Sequence, residues 1–150
     1  MRNFIRGFVA IWYLLGWISH VYLGLANPQI YAVFGKTALI PGYADLWQNF
    51  VMPRITFFCF LLAAFEIVVG LLLINKGKWV KYGLILSLAF NLFLVQMGLG
   101  AADAKGWESF LMNRAANLVF IAIQIPLLWG TDEKTLSEVI RNRFTARKAS

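Results

Sequence analysis

Residues 55–74 read ITFFCFLLAAFEIVVGLLLI, twenty positions with a single charged side chain, Glu66. As a helix rising about 1.5 Å per residue, such a run covers about 30 Å, the hydrocarbon thickness of a bilayer. Lipid offers the backbone no hydrogen bonds, so a continuous apolar run of this length predicts a helix; a barrel would need short alternating strands. Glu66 stands about 12 residues beyond Arg54, roughly 18 Å along the axis and close to mid-span. Cys59, Ala63 and Gly70 share its face, and small residues mark where a second helix packs closely.

Three further stretches are long and apolar enough to cross: about Gly7–Leu25, Trp79–Gly98 and Phe110–Trp129. The first begins with Arg2 and Arg6 and ends near Gly24-Leu25-Ala26, which invites reading it as a cleaved leader. Its apolar stretch is too long for that, and it carries His20 and several aromatics, so it is expected to be a true span. Overall, 60% of the 150 residues are hydrophobic and 14% are charged. Polar residues are too few to cover a soluble domain of this size. The expected fold is therefore an all-α membrane protein, a four-transmembrane-helix bundle over residues 1–130 followed by a basic amphipathic tail over 131–150.

Net charge is +7, but the charges cluster at the ends of apolar runs. That pattern points to orientation in a membrane and contact with anionic lipid, not to nucleic acid. Ten of the 14 Lys and Arg residues fall in the N-terminus, the turn at 76–81 and the tail. By the positive-inside rule both termini and that turn are expected in the cytoplasm, in a bacterial or archaeal inner membrane. A lone cysteine, Cys59, excludes an internal disulfide and a CxxC redox pair. One histidine, His20, cannot supply both axial ligands of a haem, and no Cys/His metal set is available.

The connection from Ala26 to Pro53 is too long for a structureless loop. Tyr43, Leu46, Trp47 and Phe50 follow helical spacing, and Tyr31 and Phe34 repeat the pattern. Short interfacial helices are expected here, as an aromatic belt or as a lid over a cavity. After Gly130, Thr131 is a candidate cap with Asp132 and Glu133 in the first turn. Leu136, Val139, Ile140 and Phe144 would then face the inner leaflet, among Arg141, Arg143 and Arg147.

Polar groups at membrane depth are costly, so they locate candidate sites. By residue counting they form two tiers. The inner tier is Glu66, Ser87, Asn91 and Gln124; the outer is His20, Gln96, Arg114 and Asn117. Together they would line a polar cavity that opens outward and ends at a carboxyl. The plain alternative is that the amides hydrogen-bond across helices and only fix the packing. His20 and Glu66 are expected about 10 Å apart in depth, too far to cooperate directly.

The run Phe65-Glu66-Ile67-Val68-Val69-Gly70-Leu71-Leu72-Leu73-Ile74, then Lys76-Gly77-Lys78 and Gly83-Leu84, resembles the second and third helices of DoxX-like four-helix membrane proteins. The likeness covers roughly Arg54–Gly98, and the long aromatic connection departs from it. Most such proteins have no assigned activity, and a few are subunits of a thiosulfate:quinone oxidoreductase. The resemblance implies an accessory membrane subunit near the quinone pool. Three functions remain open: an accessory subunit holding a quinone- or lipid-like molecule, a small oligomeric transporter or proton-coupled carrier using Glu66, and a membrane enzyme of lipid or sulfur metabolism. The partners expected are membrane lipids and a membrane complex or further copies of the chain.

Overall fold

The computed structural model describes residues 1–101 and 105–148, with backbone alone at 143 and 146–148. Among them there are helices and turns and no strand. Helix α1 runs Arg2–Ala26, α2 Tyr43–Leu46, α3 Ile55–Ile74, α4 Lys78–Met97, α5 Gly106–Gln124 and α6 Leu136–Lys148. Four helical runs among the described residues are long and apolar enough to cross a membrane, as a multi-pass membrane protein would have. Its outward face is apolar as lipid requires, with Ile11, Leu15 and Ile18 of α1 and Phe57, Leu61 and Val68 of α3 all exposed.

The spans differ from expectation chiefly at their ends. Helix α1 starts five residues earlier than Gly7 because Arg2 and Arg6 are anchored there, and it stops at Asn27, where Pro28 disfavours a helical neighbour. The fourth span is α-helical to Gln124 and finishes as a 3₁₀ turn over Ile125–Trp129, since Pro126 cannot continue the α pattern.

Between α1 and α3 the chain forms short helical pieces, not a structureless loop. Pro28–Val33 forms a 3₁₀ helix, but α2 is the first turn of a helical run of 32 residues, Tyr43–Ile74. Pro53 has no N–H for the residue four before it. The backbone absorbs this by widening into a π turn at Trp47–Val51 and tightening into a 3₁₀ turn at Met52–Arg54. Of the expected stripe, Trp47 is buried and Tyr43 packs beside it, while Leu46 and Phe50 are exposed.

Helix α1 lies antiparallel along α3, which packs on α4, which packs on α5; α1 and α5 meet along little of their length. Small residues set the α1–α3 register. A side chain at Gly24 would strike Cys59, and one at Gly70 would strike Leu14. Two cores result. One is mainly aliphatic, around Val9, Ala10, Val69, Leu73, Val80 and Leu84. The other, at the opposite end, comprises Tyr31, Trp47, Ile55, Cys59 and Met97.

The aliphatic core is closed off by a charged knot, at what we call the basic end. Asp132 accepts from Arg2 Nε (3.1 Å) and Nη2 (2.6 Å) and from Arg6 Nη1 (2.7 Å). Arg2 also donates to the carbonyl of Leu127, and Arg6 to that of Lys134. Gly77, at φ 63° in the α3–α4 turn, a conformation that glycine adopts without a Cβ clash, donates its N–H to the Asp132 carbonyl at 2.7 Å. Burial works against the Asp132 carboxylate, but the hydrogen bonds from Arg2 and Arg6 outweigh it and hold the group below its ordinary range.

Asp132 is thus not in the first turn of a tail helix. That helix begins at Leu136, and its cap is Thr135, not Thr131. Thr135 Oγ1 accepts from the Glu138 N–H (3.2 Å), and Glu138 Oε2 accepts from the Thr135 N–H (2.7 Å). The arrangement is a capping box written in the sequence as Thr-Leu-Ser-Glu. Leu136 packs on the aliphatic core while Ile140 and Phe144 are exposed. The expected roles of the Arg143 and Arg147 side chains lie outside the described residues.

Candidate functional site

Helix α1 presents Tyr13, Gly16 and His20 on one face, at spacings of three and four residues. That face meets Glu66 of α3. Gly16 leaves the room: a Cβ there would lie 3.1 Å from both carboxylate oxygens. Glu66 is 4% exposed, and its Oε1 lies 3.4 Å from His20 Nε2. The other imidazole nitrogen, Nδ1, is 2.7 Å from the Tyr31 hydroxyl. A line of close polar contacts therefore runs from Tyr31, in the connection, through His20 to the carboxyl. Glu66 Oε2 has no partner at all.

This contact corrects the depth estimate that separated His20 from Glu66. The register of Gly24 on Cys59, Gly16 on Glu66 and Gly70 on Leu14 sets the end of α3 level with about Ala10 of α1, not with Gly7. Counting both helices from a common plane therefore overstated the gap by about 5 Å. The side chains close the remainder.

Ser87, Asn91 and Gln124 do come together, but not around the carboxyl. Their centre is Tyr13, which residue counting passed over as one more aromatic. Asn91 Nδ2 donates to the Tyr13 hydroxyl (3.1 Å) and to the Ser87 carbonyl (2.8 Å). Ser87 Oγ lies 2.9 Å from that hydroxyl and 2.6 Å from Gln124 Oε1. Ser87 has one proton, and an amide oxygen can only accept, so Ser87 donates to Gln124 and Tyr13 donates to Ser87. Gln124 Nε2 completes the chain on the Phe120 carbonyl at 2.9 Å. These side chains are buried, and the network ties α1, α4 and α5 together.

The outer tier divides as well. Arg114 donates to the Thr37 carbonyl and lies 5.4 Å from the Phe110 ring centre. Its neighbour Asn113 accepts from Thr37 Oγ1 (3.0 Å) and the Ala101 N–H (2.9 Å) and donates to the Ala101 carbonyl. Both residues therefore pin loops to α5. Gln96 has both side-chain polar atoms buried without a partner and stands apart from the site. Asn117 lines the cavity described next.

Above Glu66 lies a cavity of about 420 Å³. Its polar floor includes Glu66, Asn91 and His20; its walls carry aromatic rings from α1, α4 and α5. Tyr31, Phe34 and Trp47 form its cover, and the Trp47 indole is fixed by a 2.9 Å hydrogen bond to the Tyr31 carbonyl. Where α1 and α5 diverge, Trp12, Ala116 and Asn117 form the wall. Volume, apolar walls and a few convergent polar groups are the usual marks of a small-molecule site. Among the described residues no cluster of His, Cys, Asp and Glu is placed to hold a metal ion.

Compared with known protein families, curated proteins and solved structures, the chain matches none. Function must be argued from this geometry.

Proposed function

We propose that the chain is a multi-pass membrane protein whose cavity holds an amphipathic molecule, quinone- or lipid-like in size and polarity, with its polar head at Glu66. One observation carries the reading: a buried carboxylate oxygen without a partner sits at the floor of a 420 Å³ apolar cavity. A carboxyl kept only for packing would be cheaper as an amide, and an unfilled acceptor at this depth is costly. The gap between α1 and α5 gives such a molecule a lateral route from the lipid. The basic end faces the cytoplasm in this proposal, following the distribution of Lys and Arg, and the connection around Tyr31 and Trp47 lies at the outer interface. In this proposal the chain serves as an accessory subunit of a bacterial or archaeal inner-membrane complex, a reading the resemblance to DoxX-like proteins supports.

The test is occupancy. Wild-type protein, purified in a mild detergent and analysed by native mass spectrometry, should retain a lipid-sized molecule or take up added decyl-quinone. Ala116→Trp, which fills the cavity from its wall and touches no polar group, should lose it. Glu66→Gln should keep the fold and release most of the ligand. Full occupancy in both variants would remove the site.

A second reading has an observation of its own. The Tyr31–His20–Glu66 line of close polar contacts leads from the cover to the carboxyl, as a proton-coupled carrier needs. Proton flux into proteoliposomes that disappears in His20→Gln would favour the carrier over a passive subunit.

A further inference from the structure

The cavity's unused hydrogen-bonding capacity has a sign. The Tyr31 hydroxyl is taken up within the chain, by His20 Nδ1 at 2.7 Å and by the Cys59 thiol. The other ring nitrogen, Nε2, lies 3.4 Å from Glu66 Oε1 and so faces the carboxyl. The Tyr13 proton goes to Ser87, both Asn91 amide protons are used, and the Trp47 N–H is held by Tyr31. What remains beside the floor is Glu66 Oε2, an acceptor. Asn117 and the largely exposed Trp12 keep N–H groups, but neither carries a charge. No Lys or Arg lines the cavity, and Glu66 is its one acidic residue.

Resting on the occupancy proposed above, we infer that the head of the bound molecule is positively charged: the site takes a lipophilic cation, an amine or onium group on an apolar body. Aromatic faces carry negative potential and attract cations, most strongly where water is excluded. Phe90, Phe93, Phe120 and Trp47 supply such faces around the single carboxylate. A cation at Oε2 neutralises the buried charge, which a neutral carbonyl cannot do. A phosphate or carboxylate head would instead meet repulsion with no counterion in reach.

The experiment uses an isosteric pair of opposite charge, tetraphenylphosphonium and tetraphenylborate, with decyl-quinone as the neutral probe. Binding to the full chain in lipid nanodiscs is read from the quenching of tryptophan fluorescence, since Trp12 and Trp47 line the cavity. The phosphonium should bind at least ten-fold more tightly than the borate. Glu66→Gln should weaken it ten-fold or more, and Glu66→Asp, which keeps the charge, should recover most of the affinity. A thermal melt of each variant separates lost binding from lost fold. Equal binding of phosphonium and borate, or unchanged phosphonium affinity in Glu66→Gln, overturns the cation assignment. Quinone retained under those conditions would leave the occupancy reading standing, whereas no binding of any probe to an empty protein defeats both.

Discussion

The two ends of this bundle solve the same problem, polar groups away from water, in opposite ways. At the basic end Arg6 is 1% exposed, yet its charge is met by Asp132, and the surrounding core is close-packed aliphatic. At the other end a carboxylate of similar burial keeps one oxygen unmatched, and the packing opens into a cavity walled by aromatic rings. Between them the Tyr13–Ser87–Asn91–Gln124 network joins three helices by hydrogen bonds and forms a partition. The difference separates scaffold from site. At the basic end the charges are paired within the chain, although Arg6 Nε has no hydrogen-bond partner; at Glu66 a carboxylate oxygen is left for a ligand to meet.

The largest expected effect attacks the charge-paired end. Asp132→Ala leaves the buried Arg6 without its counterion and should lower unfolding stability by about 3–5 kcal/mol, measured by thermal or denaturant unfolding in detergent. The folded carboxyl is held below its unfolded value of 3.8, so its contribution is present above that pH and is lost as pH falls below it. The wild type should therefore lose stability on acidification, and Asp132→Ala should show less of that loss. A variant as stable as wild type would erase the contrast between the two ends.

A smaller effect is expected at the partition. Ser87→Ala strands the Gln124 oxygen and the Tyr13 proton together and should cost about 1–3 kcal/mol, read from the same unfolding curves. Glu66→Gln, by contrast, should be neutral or slightly stabilising, because it removes an incompletely paired charge. If Glu66→Gln proved the more damaging of the two, the carboxyl would belong to the scaffold.

The smallest effect is at the tail. Thr135→Ala removes one half of the capping box and should cost about 1 kcal/mol, confined to α6. Hydrogen exchange should speed up at residues 136–140 and remain unchanged in α1–α5. Protection lost throughout the bundle would show that α6 is part of the basic-end core and not an appendage beyond it.

Four runs of about 20 apolar residues, the turn at Lys76–Lys78 and the buried placement of Glu66 were legible without coordinates. Each follows from local composition, since the bilayer dictates helix length and small residues dictate close packing. The capping box at Thr135 was equally local, and reading its Thr-x-x-Glu spacing would have located the start of α6. Tyr13 was within reach too, as the residue that extends the Gly16–His20 face by one turn. What no local pattern contains is the offset between helices. Whether His20 reaches Glu66, and whether Ser87 turns to Tyr13 or to the carboxyl, depends on the α1–α3 register. That register was set by Gly24 against Cys59 and Gly70 against Leu14, pairs far apart in sequence. The knot of Arg2, Arg6 and Asp132 likewise joins residues more than 120 positions apart. The chain by itself thus determined that it would be a helical bundle with a carboxyl inside. Only the packed structure decided which acceptor goes unpaired, because a hydrogen bond is a matter of tenths of an ångström and a helix slipped by one residue moves by 1.5 Å.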